Sequence, residues 1–289
     1  MSAAPPPAPA AAARRAAVLG SPIAHSLSPV LHAAAYRVLG LAWTYQAIEC
    51  AQDELPGVLD ALDESYVGLS LTMPLKRAVL PLLDDVSALA AAVGAANTVL
   101  FDGLGPFLRR RGENTDVPGM VAAVRAQRPD VVGSAVILGA GGTAAAALAA
   151  VRELGAERVA VVVRSRERAA ELLQAAERLE VAITMVDWPG DEALANADLV
   201  ISTVPAGVTD DLVGSASGPL RAGQLLFDVL YDPWPTPYAS AALAAGAEVI
   251  GGLELLVLQA ALQVELMTGR VAPVEAMRSA GLAAIAAGA

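Results

Sequence analysis

Residues 131–168 read VVGSAVILGAGGTAAAALAAVRELGAERVAVVVRSRER, an order that specifies strand, turn, helix and second strand. The apolar, β-branched run 134–138 suits a strand buried on both faces. Gly139-Ala140-Gly141-Gly142-Thr143-Ala144 follows and fits G-x-G-x-x-G/A. An alanine-rich helix comes next, with Gly155 where a C′ residue would stand, and residues 159–163 form a second apolar strand. Gly139 permits the tight turn, Gly141 lets the backbone approach a pyrophosphate, and the small Ala144 lets the helix pack against the sheet. The helix N-terminus offers free N–H groups and a positive dipole end to phosphates. This βαβ unit is therefore expected to bind a dinucleotide.

A membrane helix is the competing reading, because residues 134–151 carry no charge. Glycines at three of the four positions 139–142, and Asp130 and Arg152 close on either side, argue against it. The end of the second strand speaks to cofactor choice. An NAD site usually has Asp or Glu there, for the ribose 2′-hydroxyl. Here Val163-Arg164-Ser165-Arg166-Glu167-Arg168 brings arginines instead, which suits the 2′-phosphate of NADP. Arg166 and Arg168 would alternatively just solvate a helix face, with Glu167 and Glu171 beside them.

At 289 residues and 55% apolar content the chain has material for two modest domains. A net charge of −11 argues against a nucleic-acid binder and against anionic membrane surfaces. The basic cluster 109–111 is too short to reverse that. One cysteine, Cys50, excludes an intrachain disulfide framework, and two histidines, His25 and His32, exclude a multi-His metal site. The expected setting is cytoplasmic, with no metal. Residues 1–15, MSAAPPPAPAAAARR, have no pattern that buries a core and are expected to form a disordered tail. Their arginines follow the apolar run, whereas a signal peptide has its charges first.

From residue 16 the pattern alternates strand and helix. A strand at 16–19 leads into Gly20-Ser21-Pro22-Ile23-Ala24-His25-Ser26-Leu27-Ser28-Pro29. Ser28 before Pro29 reads as N-cap and N1 of a helix ending near Gly40. Ser26 and Ser28 thus stand beside a helix N-terminus, a good place for a carboxylate, though capping alone would also explain them. Strands are expected at 43–49 and 66–71, with a helix at 53–62 between them. Thr72-Met73-Pro74-Leu75-Lys76 follows, with Pro74 as N1. Lys76 then opposes the dipole of a first turn, a costly position unless a ligand uses the cation. Gly94-Ala95-Ala96-Asn97-Thr98-Val99 opens another strand, and Asp116, in Gly112–Gly119, reads on spacing alone as a helix cap. Further strands are expected at 181–186, 198–202, 224–229 and 247–250, giving a doubly wound sheet with its ligand at the carboxyl ends. Two closing helices, 253–267 and 273 onward, would return to the first domain and carry Gln259 to the cleft, where partial burial or a solvent-facing position are the two choices.

The segments 21–32, 68–76, 94–99, 112–119, 139–144, 202–207, 228–233 and 252–259 come in the order, and at about the spacing, of shikimate dehydrogenases, which the chain resembles over nearly everything after residue 15. The resemblance implies an N-terminal α/β substrate domain (residues 16–117, completed by 253–289) and a Rossmann-type NADP-binding domain (118–252). It implies NADP-dependent, reversible reduction of 3-dehydroshikimate to shikimate, a step of aromatic amino-acid biosynthesis. Lys76 and Asp116 become the catalytic pair. Ser26, Ser28, Thr72, Asn97, Tyr231 and Gln259 become substrate-binding. Gly139, Ala140, Gly141, Gly142, Thr143, Ala144, Arg164, Ser165, Arg168, Thr203, Val204 and Gly252 fall on the cofactor side. Ala33, Ser70, Val163 and Ser202 each stand where the family commonly has Asn. The alternatives are a quinate or aminoshikimate dehydrogenase using NAD, or a cofactor-binding paralogue without catalysis. A homodimer is compatible with the sequence and not decided by it.

Overall fold

The computed structural model describes residues 13–103, 109–130, 132–215 and 220–288. Residues 1–12 of the expected tail lie outside the described residues, and its end is corrected: Arg15 opens β1, its N–H bonded to the Ser65 carbonyl at 2.8 Å. The first half holds β1 (Arg15–Gly20), α1 (Ser28–Val38), β2 (Thr44–Glu49), α2 (Leu55–Asp60), β3 (Tyr66–Leu71) and α3 (Leu75–Ala78). It continues through β4 (Asp85–Val86), α4 (Ala88–Val93), β5 (Thr98–Asp102) and β6 (Arg109–Glu113). These strands form one sheet in the order β2-β1-β3-β5-β6-β4. β1 pairs in parallel with β2 and β3, whereas β5 runs antiparallel to both β3 and β6. The strand β6, RRRGE, has no apolar alternation to announce it. Pairing with β5 and ion pairs from Arg110 to Asp60 and from Arg111 to Asp102 and Glu113 hold it.

The helix α5 (Asp116–Gln127) leads into β7 (Ser134–Leu138), α6 (Gly142–Glu153), β8 (Arg158–Val163), α7 (Ala170–Leu179) and β9 (Ile183–Asp187). Then come α8 (Asp191–Ala195), β10 (Leu199–Ser202), β11 (Leu225–Asp228), α9 (Pro237–Ala244) and β12 (Glu248–Ile250). The second sheet is wholly parallel, in the order β12-β11-β10-β7-β8-β9. Its strands are nearly all Val, Ile, Leu and Ala because helices cover both faces. The chain order reverses between β7 and β10, so a crevice opens between the Gly139 and Thr203 loops at the carboxyl ends.

Two helices, α10 (Gly252–Thr268) and α11 (Val274–Ala286), close the chain. They return to the first sheet, where Val257, Ala260, Ala261, Val264 and Met277 complete a core with Val18, Leu31, Ala35 and Tyr36. α10 packs on α1, α5, β3 and β5, and α5 packs on both α6 and α10. α10 and α5 are thus the braces between the two sheets. The entry to α10 is tight: a Cβ at Gly252 would lie 2.1 Å from the Val229 carbonyl oxygen, so no larger residue fits. Among the described residues no helix is long and apolar enough to cross a membrane.

Candidate active site

A cavity of about 290 Å³ lies where β1, β3, α3, α5 and α10 meet the end of β11. Its lining includes Ser26, Ser28, Thr72, Lys76, Asp116, Tyr231 and Gln259, with Thr143 of the glycine loop at one side. A larger cavity of about 740 Å³ lies over β8 and β9, beside the five-residue α8, but none of these residues lines it.

Each side chain arrives by a local device. Ser28 is the first residue of α1 rather than its cap; Leu27 holds the N-cap position without a side-chain bond. Pro29 therefore sits at N2, and Ser26 Oγ accepts from the Ser28 N–H at 3.3 Å. The Ser28 hydroxyl has no partner among the described residues, so it stays available at the cavity wall. His32, one turn on, is fully buried, stacks on Tyr45 at 3.8 Å between centroids, and meets the Ser28 carbonyl through Nδ1 at 3.0 Å. Burial outweighs that hydrogen bond and lowers its pKa to about 4.

The expected cap role of Asp116 is also corrected. Asn114 Oδ1 accepts from the Asp116 and Val117 N–H groups, at 3.1 and 3.3 Å, so the helix end is satisfied without the Asp116 carboxylate. That carboxylate is 2% exposed and faces inward. Its Oδ2 accepts from Lys76 Nζ at 2.7 Å and its Oδ1 from Asn97 Nδ2 at 2.9 Å. Pro74 is the N-cap of the four-residue α3, one position earlier than expected, and this still sets Lys76 in the first turn. The dipole that disfavours a cation there is offset by the Asp116 charge. Asn97 Nδ2 also donates to Gln259 Oε1 at 2.9 Å, so Gln259 is half-buried in the cleft and not solvent-facing. Tyr231 is carried by a loop that the buried Asp228 folds, accepting from the Leu230 N–H at 3.2 Å and the Thr236 hydroxyl at 2.9 Å. Burial raises the pKa of both Asp228 and Tyr231, and the Leu27 backbone N–H, which faces the Tyr231 hydroxyl across the cleft, offsets part of that rise.

The cofactor-side residues gather at the ends of β7, β8 and β10. Gly139 has φ +102°, and a Cβ there would meet Thr203 Oγ1 at 2.9 Å and Val204 Cγ1 at 3.0 Å. Thr203 in turn donates to the Leu138 carbonyl at 2.7 Å, closing the turn. At Gly141 and Gly142 a Cβ would touch no protein atom within 4 Å, and α6 starts without a side-chain cap. Open space in front of uncapped N–H groups is what a pyrophosphate needs. Ala144 is fully buried against the sheet. A cavity of about 150 Å³ beside this loop is lined by Gly139, Ala140, Arg164, Ser165, Arg168 and Val204, with Trp188 and Val208. Arg164 and Arg168 are exposed and have no ion pair among the described residues. Arg166, offered by the sequence as a third phosphate ligand, is instead engaged by Asp187. Gly252 is on the α10 entry, its N–H bonded to the Leu230 carbonyl at 3.0 Å, outside the lining of both cavities.

Sequence reasoning passed over His25, Ile23, Leu255, Leu256 and Gln263, which also line the first cavity. For Gln263 a signal existed: it follows Gln259 by one helical turn and shares its face.

Residues 18–99 match the family described as shikimate dehydrogenase substrate binding domain, and residues 252–280 match shikimate 5'-dehydrogenase C-terminal domain. Residues 134–231 match NADP oxidoreductase coenzyme F420-dependent. A shikimate dehydrogenase (NADP(+)) of Desulfitobacterium hafniense is 35% identical over 272 residues, covering 93% of this chain and 98% of its own. The crystal structure of Mycobacterium tuberculosis shikimate dehydrogenase superposes with a TM-score of 0.82 at 44% identity, covering 93% of this chain and 99% of that one. A Thermus thermophilus shikimate 5-dehydrogenase, solved in complex with NADP(H) and shikimate, gives 0.81 at 36% identity over 94% of this chain and 99% of that one. On the fold, the ordered motifs and these matches together, the chain belongs to the shikimate dehydrogenase family.

Proposed function

We propose that the chain is an NADP-dependent shikimate dehydrogenase in which Lys76 and Asp116 form the acid–base pair. The observation that carries the assignment is their 2.7 Å contact in a cavity walled by two seryl hydroxyls and opening toward the glycine loop. When bound, NADPH supplies the hydride that reduces the ring ketone of 3-dehydroshikimate. The protein's part is to hold the substrate and move one proton. Lys76 Nζ gives that proton to the ketone oxygen as negative charge grows there, and takes it back in the reverse direction. Asp116 fixes the ammonium in place, and Asn97 fixes Asp116.

Ser26 and Ser28 hold the substrate carboxylate beside the start of α1, aided by the Tyr231 hydroxyl from the opposite side of the cleft. Thr72 and Gln259 bind ring hydroxyls, while Asn97, fully buried and outside the cavity lining, serves the substrate indirectly by holding Gln259 and Asp116. Ile23, Leu255 and Leu256 give the cavity apolar walls that limit water. On the cofactor side, residues 139–144 take the pyrophosphate, Arg164, Ser165 and Arg168 the 2′-phosphate, and Thr203 and Val204 flank the crevice. Gly252 serves by letting α10 start close against Val229. Residues 16–117 with 253–289 make up the substrate domain and 118–252 the cofactor domain, in a cytoplasmic enzyme.

A spectrophotometric assay of NADP⁺ reduction with shikimate and with quinate, repeated with NAD⁺, tests the assignment. Shikimate with NADP⁺ should be the preferred pair. Faster turnover of quinate, or preference for NAD⁺, would replace this reading with that of a quinate dehydrogenase.

A further inference from the structure

Behind Asn97 lies a chain of buried hydrogen bonds that the proposed chemistry does not use. Gln263, 2% exposed, is its centre. The Tyr45 hydroxyl, kept protonated by a pKa that burial pushes far up, donates to Ser70 Oγ at 2.6 Å. Ser70 donates onward to Gln263 Oε1 at 2.7 Å. Gln263 Nε2 then donates to the hydroxyls of Thr98, at 3.0 Å, and Thr115, at 3.4 Å. Both threonines donate to Asn97 Oδ1, at 3.0 and 3.1 Å, and that oxygen also takes the Thr115 N–H at 2.8 Å. The backbone N–H can only donate, so it fixes which end of the Asn97 amide faces it. Asn97 is left with Nδ2 for Asp116 and Gln259. Every step runs one way, from Tyr45 to the Asp116 carboxylate, which Lys76 meets from the other side.

We propose that Gln263 is a positioning residue for the Lys76–Asp116 pair. By donating to Thr98 and Thr115 it turns both hydroxyl protons onto Asn97, and so aims the Asn97 amide at Asp116. Ser70, small where the family commonly has Asn, leaves room for the long Gln263 side chain and orients its carbonyl end. The inference rests on the catalytic reading of Lys76 and Asp116. The titratable groups around the chain are Tyr45 from β2, His32 and Tyr36 from α1, Lys76 from α3 and Asp116 from α5.

The test is steady-state kinetics of the full chain carrying Gln263→Leu or Gln263→Glu, with melting temperatures. Gln263→Leu should lower kcat about 10- to 100-fold, the scale of one lost buried hydrogen bond, with KM for NADP⁺ unchanged. The Gln263→Glu side chain can donate one proton when its carboxyl is protonated and none when it is ionised. Its kcat relative to the parent should therefore fall as pH rises through that titration. A folded Gln263→Leu with parental kcat, whatever its melting temperature, overturns the proposal. So does a Gln263→Glu to parent ratio that stays flat with pH, and this arm decides alone if the leucine variant does not fold. Lys76→Ala in the same assay separates the two readings. Full activity there sinks the catalytic pair itself, whereas an inactive Lys76→Ala beside unaffected Gln263 variants sinks only the positioning role.

Discussion

Asp187, the last residue of β9, grips Arg166 by both arms of its guanidinium, at 2.8 and 3.1 Å. The bidentate pair takes Arg166 out of competition for a phosphate and leaves Arg164 and Arg168 to face the small cavity by the glycine loop. Arg164→Ala should raise KM for NADP⁺ about 10- to 100-fold and leave the weaker use of NAD⁺ almost unchanged. Arg166→Ala should change neither much. Equal losses with both cofactors in Arg164→Ala would make that arginine structural.

The two serines should separate in a way their shared motif does not suggest. Each alanine substitution should weaken shikimate binding by about 1.5–3 kcal/mol, the scale for a hydrogen bond to a charged group. Only Ser26→Ala should also lower the melting temperature, because only Ser26 Oγ accepts a backbone N–H. Unchanged KM for shikimate in Ser28→Ala would remove Ser28 from the carboxylate site.

Lys76→Ala should cut kcat by about 10² to 10⁴, with a much smaller change in substrate KM. Asp116→Asn should be damaging as well, and the double variant should lose less than the product of the two losses, because the residues act as one unit. Lys76→Arg keeps the charge but does not exchange a proton readily near neutral pH, so it should be nearly as poor as alanine. Substantial recovery with arginine would make Lys76 an electrostatic anchor only.

The glycine loop offers a contrast within three residues. Gly141 has an ordinary φ of −83°, and an added Cβ would meet no protein atom. Gly141→Ala should therefore fold and melt like the parent while binding NADP⁺ less tightly. Gly139→Ala, with φ +102° and Thr203 Oγ1 at 2.9 Å, should destabilise the fold itself. Melting curves with and without NADP⁺ distinguish the two, and a normal thermal shift by NADP⁺ in Gly141→Ala would place the pyrophosphate elsewhere.

His32 gives the fold an acid limb. Its folded pKa is about 4, against 6.5 for the unfolded chain, mainly through burial. Between those values the unfolded chain binds the extra proton, so stability is full above the unfolded pKa and declines as pH falls toward 4. The loss from this group approaches about 3 kcal/mol at the acid end. Urea unfolding at about pH 4.5 and about pH 7.5 should show it, and His32→Phe should remove that part of the slope. An equal slope in the variant would assign the acid limb to other groups.

Much of this was legible in the chain itself. The 139–144 loop between two apolar strands specified the second sheet, and its parallel order followed. What escaped was set by pairing across distance. β6 is an arginine strand that exists because β5 pairs with it, and no periodicity announces it. Ser28 and Asp116 looked like caps because the residue types are right for capping. In each case a side chain two residues earlier, Ser26 or Asn114, takes the backbone N–H and leaves the later one for the cavity. Arg166 was offered to a phosphate because nothing in the local sequence places Asp187, 21 residues on, beside it.

The return of α10 and α11 to the first sheet also has a consequence for how the protein is made. Synthesis proceeds from the N-terminus, so β1 and α1 emerge early with Val18, Leu31, Ala35 and Tyr36 still uncovered. Their cover, Val257 through Met277, is translated only after every strand of the second sheet. The parallel sheet can therefore assemble on the ribosome while the earlier half waits. Gln259 and Gln263 arrive with that same cover, so the cavity gains its last polar groups in the step that seals its core.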